Sequence, residues 1–508
     1  MKSKLQRIFF FIVTFSLLSA ISTMGLLPGF SLARAETGFI LSQLPNWYFP
    51  TSDYYPIFQS GSDFGSAVSS TGNVIVDATE NQYDDVIIGA QKYKVNNYPF
   101  GATFIFQGSP NGLASRPFLI LISEHQGSDF GCSVSNLGDI NNDNFDDIAI
   151  GACTFNNIEV SDSDEGAVFV YYGPLSEGDT YSSNDGQIIG DQARGKLGSS
   201  LSGVGDINGD GINDLLVGSP SYSEIYNNNG KVFLFFGSKD GLSLTPGWTA
   251  IGDSNSAIFG TSVSGAGDVN GDNRPDILVG APQSGVNAKP PIGHAHVFYN
   301  DEVTGLKQSP DWTVSNEQEY GNFGSAVAGV GDVNGDGVDD VLVGSPSAKD
   351  ELGITVGCVY LYLGSKGGLN VTPAWRRCGD QEQGRFGASV AGVGDVNNDG
   401  RADILVGMPD YSDKSNEQMG AIFLFFGTST GIRDDYFEST FGNKADTEFG
   451  ISLSSAGDVN GDQRMDIIVG APNYRVNEER YGSSMVYYSG ILEKVEFSVY
   501  LPLIQTGN

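Results

Sequence analysis

Basic side chains are scarce in this 508-residue sequence: 27 Lys and Arg stand against 61 Asp and Glu, giving a formal net charge of −34. That balance excludes nucleic acid and anionic membrane surfaces as partners held by a positive patch. Histidine and cysteine are also few, at 3 and 4 residues, and neither an H-E-x-x-H motif, a Cys/His zinc spacing nor a G-x-S-x-G elbow is present. Gly203-Val-Gly205 and its equivalents are followed by an acidic turn and a strand, where a nucleotide loop requires a helix. Beyond the N-terminus no apolar run is long enough to cross a membrane. Charged residues are only 17% and hydrophobic ones 40%, which excludes a disordered acidic tail. What is abundant is glycine, 69 residues, with 20 prolines scattered among short apolar runs, a composition that favours many strands and tight turns.

The basic residues Lys2, Lys4 and Arg7 precede an apolar run from Ile8 to Leu18 that weakens toward Leu27, and Ala33-Arg34-Ala35 supplies an A-x-A site. Residues 1–35 are therefore expected to be a cleaved signal peptide, with an uncleaved anchor as the alternative, and the mature chain is expected to be secreted or cell-surface, in either case extracytoplasmic.

A segment of the form F-G-x-S-V-x-G-x-G-D-x-N-x-D-x-x-x-D-x-L-x-G-x-P recurs from Phe64, Phe130, Leu197, Phe259, Phe323, Phe386 and Phe449, every 62 to 67 residues. Each copy reads as four strands: the run after Phe-Gly, a second after the acidic loop, an aromatic third such as Lys231 to Phe236, and a fourth that often carries tryptophan. Seven sets of four antiparallel strands predict an all-β seven-bladed propeller spanning 36–490, in which radial repetition protects strand edges. Trp248, Trp312 and Trp375 each lie eleven residues before the next Phe-Gly. The orphan segment around Trp47 (46–58) would then complete the last blade and close the ring; an open stack would leave an unpaired edge. Residues 491–508 form a tail without an assigned role.

Between the first two strands of each copy lies a nine-residue loop, clearest from Asp332 to Asp340. Side-chain oxygens fall at positions 1, 3, 5 and 9, a backbone carbonyl is available at 7, and Gly or Asn at 4 and 6 permits the curl. Oxygen ligands at this density suit Ca²⁺ better than Mg²⁺, which prefers a strict octahedron. Six loops are complete: Asp139, Asn141, Asp143, Phe145 and Asp147; Asp206, Asn208, Asp210, Ile212 and Asp214; Asp268, Asn270, Asp272, Arg274 and Asp276; Asp332, Asn334, Asp336, Val338 and Asp340; Asp395, Asn397, Asp399, Arg401 and Asp403; Asp458, Asn460, Asp462, Arg464 and Asp466. About six Ca²⁺ ions are expected. The first copy offers only Asp77, Thr79, Asn81 and Asp85 and is expected to bind weakly or not at all. The competing reading is a plain turn whose Asp and Asn side chains cap amides.

Phe-Gly at the start, D-x-N-x-D-x-x-x-D in the middle and Gly218-Ser219-Pro220, Gly280-Ala281-Pro282, Gly344-Ser345-Pro346 or Gly470-Ala471-Pro472 at the end resemble FG-GAP repeats, which build the N-terminal propeller of integrin alpha subunits and many secreted bacterial proteins. The resemblance implies Ca²⁺ in the acidic loops of a lower face, and ligand or partner binding on an upper face formed by the strand 4–1 and 2–3 connections. The chain has no counterpart of an integrin's inserted, leg, transmembrane and cytoplasmic segments, so a transmembrane signalling receptor is not expected.

Cys132 and Cys153 flank the second acidic loop nearly opposite one another, and Cys358 and Cys378 sit on consecutive strands; bridges Cys132–Cys153 and Cys358–Cys378 are predicted, with buried free thiols as the alternative. His294 and His296 alternate on one strand and stand where Lys231 and Phe233 stand in the neighbouring copy, which reads as repeat substitution more simply than as a metal pair. The 2–3 connections vary in length and carry Tyr93, Tyr98, Tyr222, Tyr226, Tyr411, Tyr474 and Tyr481, residues suited to a binding surface. Asn370-Val-Thr372 is a glycosylation sequon. The leading expectation is a non-catalytic adhesion or ligand-binding module, taking an extracellular protein or glycan through its upper loops. The alternatives are a propeller hydrolase acting on polysaccharide or phosphoester, marked by two carboxylates outside the nine-residue loops, and a scaffold for a surface complex.

Overall fold

A computed structural model describes residues 45–489 apart from 50–59, 76–82, 157–162, 181–183, 285–289, 304, 413–416, 435–436, 443 and 477–478. The signal peptide 1–35, most of the closing segment 46–58, the tail 491–508 and Asp77, Thr79 and Asn81 thus fall outside the described residues. Contacts divide the chain after Gly38, and the ring belongs to the unit that follows.

Seven four-stranded antiparallel sheets form the blades. Blade 5 is typical: Ala326–Gly331, Asp340–Ser345, Cys358–Tyr362 and Trp375–Cys378 pair in sequence order. The second strand of a blade is an unbroken apolar run, Val341-Leu342-Val343 in this case, and is buried on both faces because its neighbours cover both. First strands of successive blades pack side by side around the centre, the last (Ser452–Gly457) against the first (Phe64–Gly72). The predicted closure holds: Trp47–Phe49 pairs antiparallel with Ser483–Tyr487 of blade 7, Trp47 opposite Val486.

The core consists of wedges between blades rather than one central mass. Trp312, Phe323, Val341, Val343, Tyr360 and Tyr362 fill one such junction. One glycine series makes the close approach possible: Gly101, Gly166, Gly230, Gly293, Gly357, Gly420 and Gly482, each before a third strand, have φ of +68° to +83°, and a Cβ there would collide with the backbone of the Phe or Leu opening the next blade.

Both predicted disulfides form, Cys132–Cys153 and Cys358–Cys378, the latter between directly paired residues. His296 is buried, its Nδ1 2.9 Å from Thr313 Oγ1 and its ring packed on Phe259, in keeping with its place in the aromatic repeat. The tyrosines require a correction. Tyr93, Tyr222 and Tyr474 are buried, two of them edge-on to Phe104 and Phe233, so they are core residues at a repeated position; Tyr98 and Tyr226 are the exposed ones. Among the described residues no helix is long and apolar enough to cross a membrane.

Candidate functional site

The acidic loops all lie at one end of the ring, where first strands turn into second strands. The aspartate at position 9 is fully buried in all seven copies, and both of its carboxylate oxygens accept backbone amides, Oδ2 of Asp214 taking two. Asp340 takes Val333 N at 3.0 Å and Gly364 N at 2.8 Å; Asp85 in the divergent first copy takes Ile75 N at 3.1 Å and Gly108 N at 2.9 Å. This carboxylate ties the loop to the end of the third strand, which explains why it survives where the rest of the pattern does not. An oxygen that accepts a single amide retains a second lone pair. Burial pushes these carboxyls up, to about 7 for Asp147, Asp214, Asp276 and Asp340 and to about 8 for Asp85, Asp403 and Asp466, against the pull of the two amides.

Positions 1, 3 and 5 hold the curl. Asp332 Oδ1 accepts Gly335 N and Asp336 N at 2.6 and 3.1 Å, Oδ2 accepts Gly337 N at 2.7 Å, and Asp336 Oδ1 accepts Val338 N at 3.0 Å. Neighbouring loops are also joined: Asp458 N donates to Asp84 Oδ2 at 2.7 Å, Asn73 N to Asp146 Oδ2 at 2.9 Å and Asp268 N to Asp339 Oδ2 at 2.8 Å. In the first copy the paired residues Gly72 and Asp85 enclose four more residues than Gly138 and Asp147 do in the second, so Asn73 rather than Asp77 follows the turn glycine. Among the described residues no three His, Cys, Asp or Glu side chains converge into a ready-made metal centre. The donor set nonetheless fits a hard cation: each of the six complete loops is lined by carboxylate and amide oxygens, and in the sixth copy both side-chain polar atoms of Asn397 are buried without a partner.

At the opposite end, the residue preceding each blade-opening Phe or Leu has a left-handed backbone: Asp63, Asp129, Lys196, Ile258, Asn322, Arg385 and Glu448. Charges concentrate on one arc of this ring. Arg385 makes a two-point ion pair with Asp410, Nη2 to Oδ1 being 3.1 Å. Arg480 donates to Asp63 Oδ1 at 2.7 Å and to Asn473 Oδ1 at 2.8 Å. Glu448 is half-buried within reach of the fields of both pairs; burial raises its carboxyl above the ordinary glutamate range, Arg385 and Arg480 pull it down, and Asp410 and Asp63 push it up. Three carboxylates outside the nine-residue loops and two guanidinium groups therefore share one arc of the upper face. No local motif announces them, because the chain contributes them from positions 63 to 480.

Comparison with known proteins places these features. The FG-GAP repeat model matches residues 197–235, 259–298 and 449–488, and the FG-GAP-like repeat model matches 332–406. The human phosphatidylinositol-glycan-specific phospholipase D is 32% identical over 305 residues, which is 55% of this chain and 35% of that protein. Integrin alpha-5 of Xenopus laevis is 31% identical over 223 residues, 42% of this chain and 20% of the integrin; mouse integrin alpha-IIb is 37% identical over 193 residues, 36% and 17%. The chain thus spans about a third of the phospholipases it matches and a fifth or less of these integrins. The expectation of a non-catalytic adhesion module, and with it of a chain that is not an enzyme, is overturned by the phospholipase relatives, whose human, bovine and mouse forms all bear an enzyme's name. No local motif marks a hydrolase in this sequence, and the carboxylates outside the nine-residue loops come to one arc only in the closed ring. The repeats, the relatives and the ring together make this chain an FG-GAP propeller of the integrin-alpha-like kind.

Proposed function

We propose that this chain is a propeller hydrolase acting on phosphoester substrates, of the phosphatidylinositol-glycan class. The observation that carries the reading is the 32% identity over 305 residues to the human phospholipase of that specificity. The reaction is assigned to the upper-face arc. Arg385 and Arg480 present guanidinium forks suited to a phosphodiester, oriented by Asp410 and Asp63. Glu448, held toward its protonated form by burial, is the acid. Water adds to phosphorus and gives up a proton to solvent, the P–O bond to the departing alcohol breaks, Glu448 delivers the proton that alcohol needs, and solvent returns a proton to Glu448. The exposed Tyr98 and Tyr226 on the surrounding loops are placed to meet the glycan of an extracellular ligand.

The lower loops are assigned about six Ca²⁺ ions, held by positions 1, 3, 5 and 9 and the carbonyl at 7 of the six complete loops. Bound Ca²⁺ would supply counter-charge to the clustered carboxylates and stiffen the ring; no step of the reaction runs through it. The protein is assigned to an extracytoplasmic location after removal of residues 1–35.

The test is release of the headgroup from a phosphatidylinositol-glycan substrate by the purified chain, with Ca²⁺ present. Glu448→Gln is expected to lower kcat about 100-fold with an unchanged melting temperature. A well-folded wild-type chain that releases nothing overturns the reading.

A further inference from the structure

Four of the seven blade junctions carry an indole at the same place. Trp47, Trp248, Trp312 and Trp375 stand opposite Val486, Leu234, Val297 and Leu361 on their own third strands. Each sets its ring edge-to-face on an aromatic of the next blade, Phe106, Phe298, Tyr362 or Phe425, with centroids 5.0–5.2 Å apart. The indole N–H donates at 3.1 Å to the carbonyls of Ala114, Lys307 and Asn370, and at 2.8 Å to the Asp434 carboxylate in the fourth case.

In blade 2 the corresponding residue, opposite Val170, is Gly186. The residue that opens blade 3 is Leu197, where all six other blades open on phenylalanine. Two large-to-small changes thus fall on one junction, and a cavity of about 190 Å³ lies there, walled by Ile188, Leu197, Tyr222, Phe233, Phe235 and Leu244. An apolar cavity of roughly 150 Å³ is already enough to take up benzene. The rest of the indole's fittings are in place. Phe235 occupies the position of Phe106, Phe298, Tyr362 and Phe425. Ser243, five residues before Trp248 as Lys307 is before Trp312, occupies the position of the accepting carbonyls, and among the described residues no donor reaches its oxygen. A Cβ on Gly186 would touch Leu244 Cδ2 at 3.6 Å and Val170 Cβ at 3.7 Å, ordinary van der Waals contacts, so the exposed Leu244 side chain is what borders the vacated place and has to swing aside for a ring. Asp191, Gln192 and Ser219 give the cavity a polar rim.

We propose that the junction between blades 2 and 3 is a binding site for a small aromatic molecule of the indole class, a flat fused ring bearing one N–H or O–H, seated where the protein's own tryptophans sit in the other junctions. Phe235 takes the ring edge and the Ser243 carbonyl takes the donor. The site is independent of the hydrolase reading, since none of its residues belongs to the charged arc.

Isothermal titration and thermal-shift measurement with indole test it on the full chain with Ca²⁺ present, beside a tryptophan-containing blocked peptide as the second source of the same ring. Indole is expected to bind saturably and raise the melting temperature. Gly186→Trp, which rebuilds the missing side chain, is expected to weaken indole binding at least about tenfold, and Leu197→Phe, which fills the cavity from the other wall, to weaken it as well. Should Gly186→Trp fail to fold, Leu197→Phe decides. Saturation by the peptide but not by free indole overturns the small-molecule assignment. Absence of saturable indole binding, or binding unchanged in the folded variants, overturns the site.

Discussion

At the lower end of the ring the position-9 aspartate makes nearly the same contacts in all seven copies, whereas at the upper end the seven equivalent positions carry Asp63, Asp129, Lys196, Ile258, Asn322, Arg385 and Glu448. Both ends are rich in carboxylates, yet their environments differ. Below, each position-9 aspartate is sealed from solvent and answered by at least two amides of its own blade. Above, Glu448 is answered by arginines and aspartates from other parts of the chain. Repetition marks what every blade needs in order to close; departure from repetition marks what the molecule needs only once. The upper arc and the aromatic cavity both lie where the repetition breaks.

The largest expected effect tests the lower end alone. Chelation by EDTA should lower the melting temperature by many degrees in calorimetry, because each site adds about 2.7 kcal/mol when the free ion stands at a hundred times its Kd. An unchanged transition would reduce the loops to plain turns and remove one side of the contrast. A pair of substitutions then sets the two ends against each other. Asp340→Asn puts an NH₂ where Val333 or Gly364 donates, leaving a buried amide unanswered; it should cost about 1–3 kcal/mol of stability by denaturant unfolding and leave kcat nearly unchanged. Glu448→Gln should do the reverse. If both variants lose stability and neither loses turnover, the division between structural and reactive ends fails.

Most of the architecture was legible in the sequence because the repeat writes it seven times: the period, the four strands, the Trp47 closure and both disulfides follow from it. Three matters were not legible. Counting back from Asp85 selects Asp77 as the first loop residue, but the pairing of Gly72 with Asp85 shows an insertion that places Asn73 there. Tyr93, Tyr222 and Tyr474 sit in variable connections by sequence, yet their common spacing after the second strand is that of a core position, and each is buried. The upper arc depends on ring closure to bring Asp63 to Arg480, 417 positions apart, a proximity that no periodicity encodes.

The smallest expected effect concerns pH and separates the two ends without any substrate. In chelator, the folded chain holds seven position-9 aspartates at about 7 to 8, where the unfolded chain has them near 3.8. A raised folded-state value means that the native protein binds more protons than the unfolded one between those limits, so stability should fall as pH rises from about 4 to about 8 and level off above. Cation binding supplies the counter-charge in place of the protons, so the slope should disappear with saturating Ca²⁺. Melting temperatures across this range, with and without the ion, measure both. Asp340→Asn should reduce the slope in chelator by less than about one seventh, since the other position-9 aspartates and also Asp84, Asp146 and Asp339 are raised by burial. Glu448→Gln should change it less, since the flanking guanidinium groups oppose the rise that burial causes. A pH-independent melting temperature in chelator would mean that the buried aspartates keep ordinary affinities for protons, and the lower end would then be no different electrostatically from the upper.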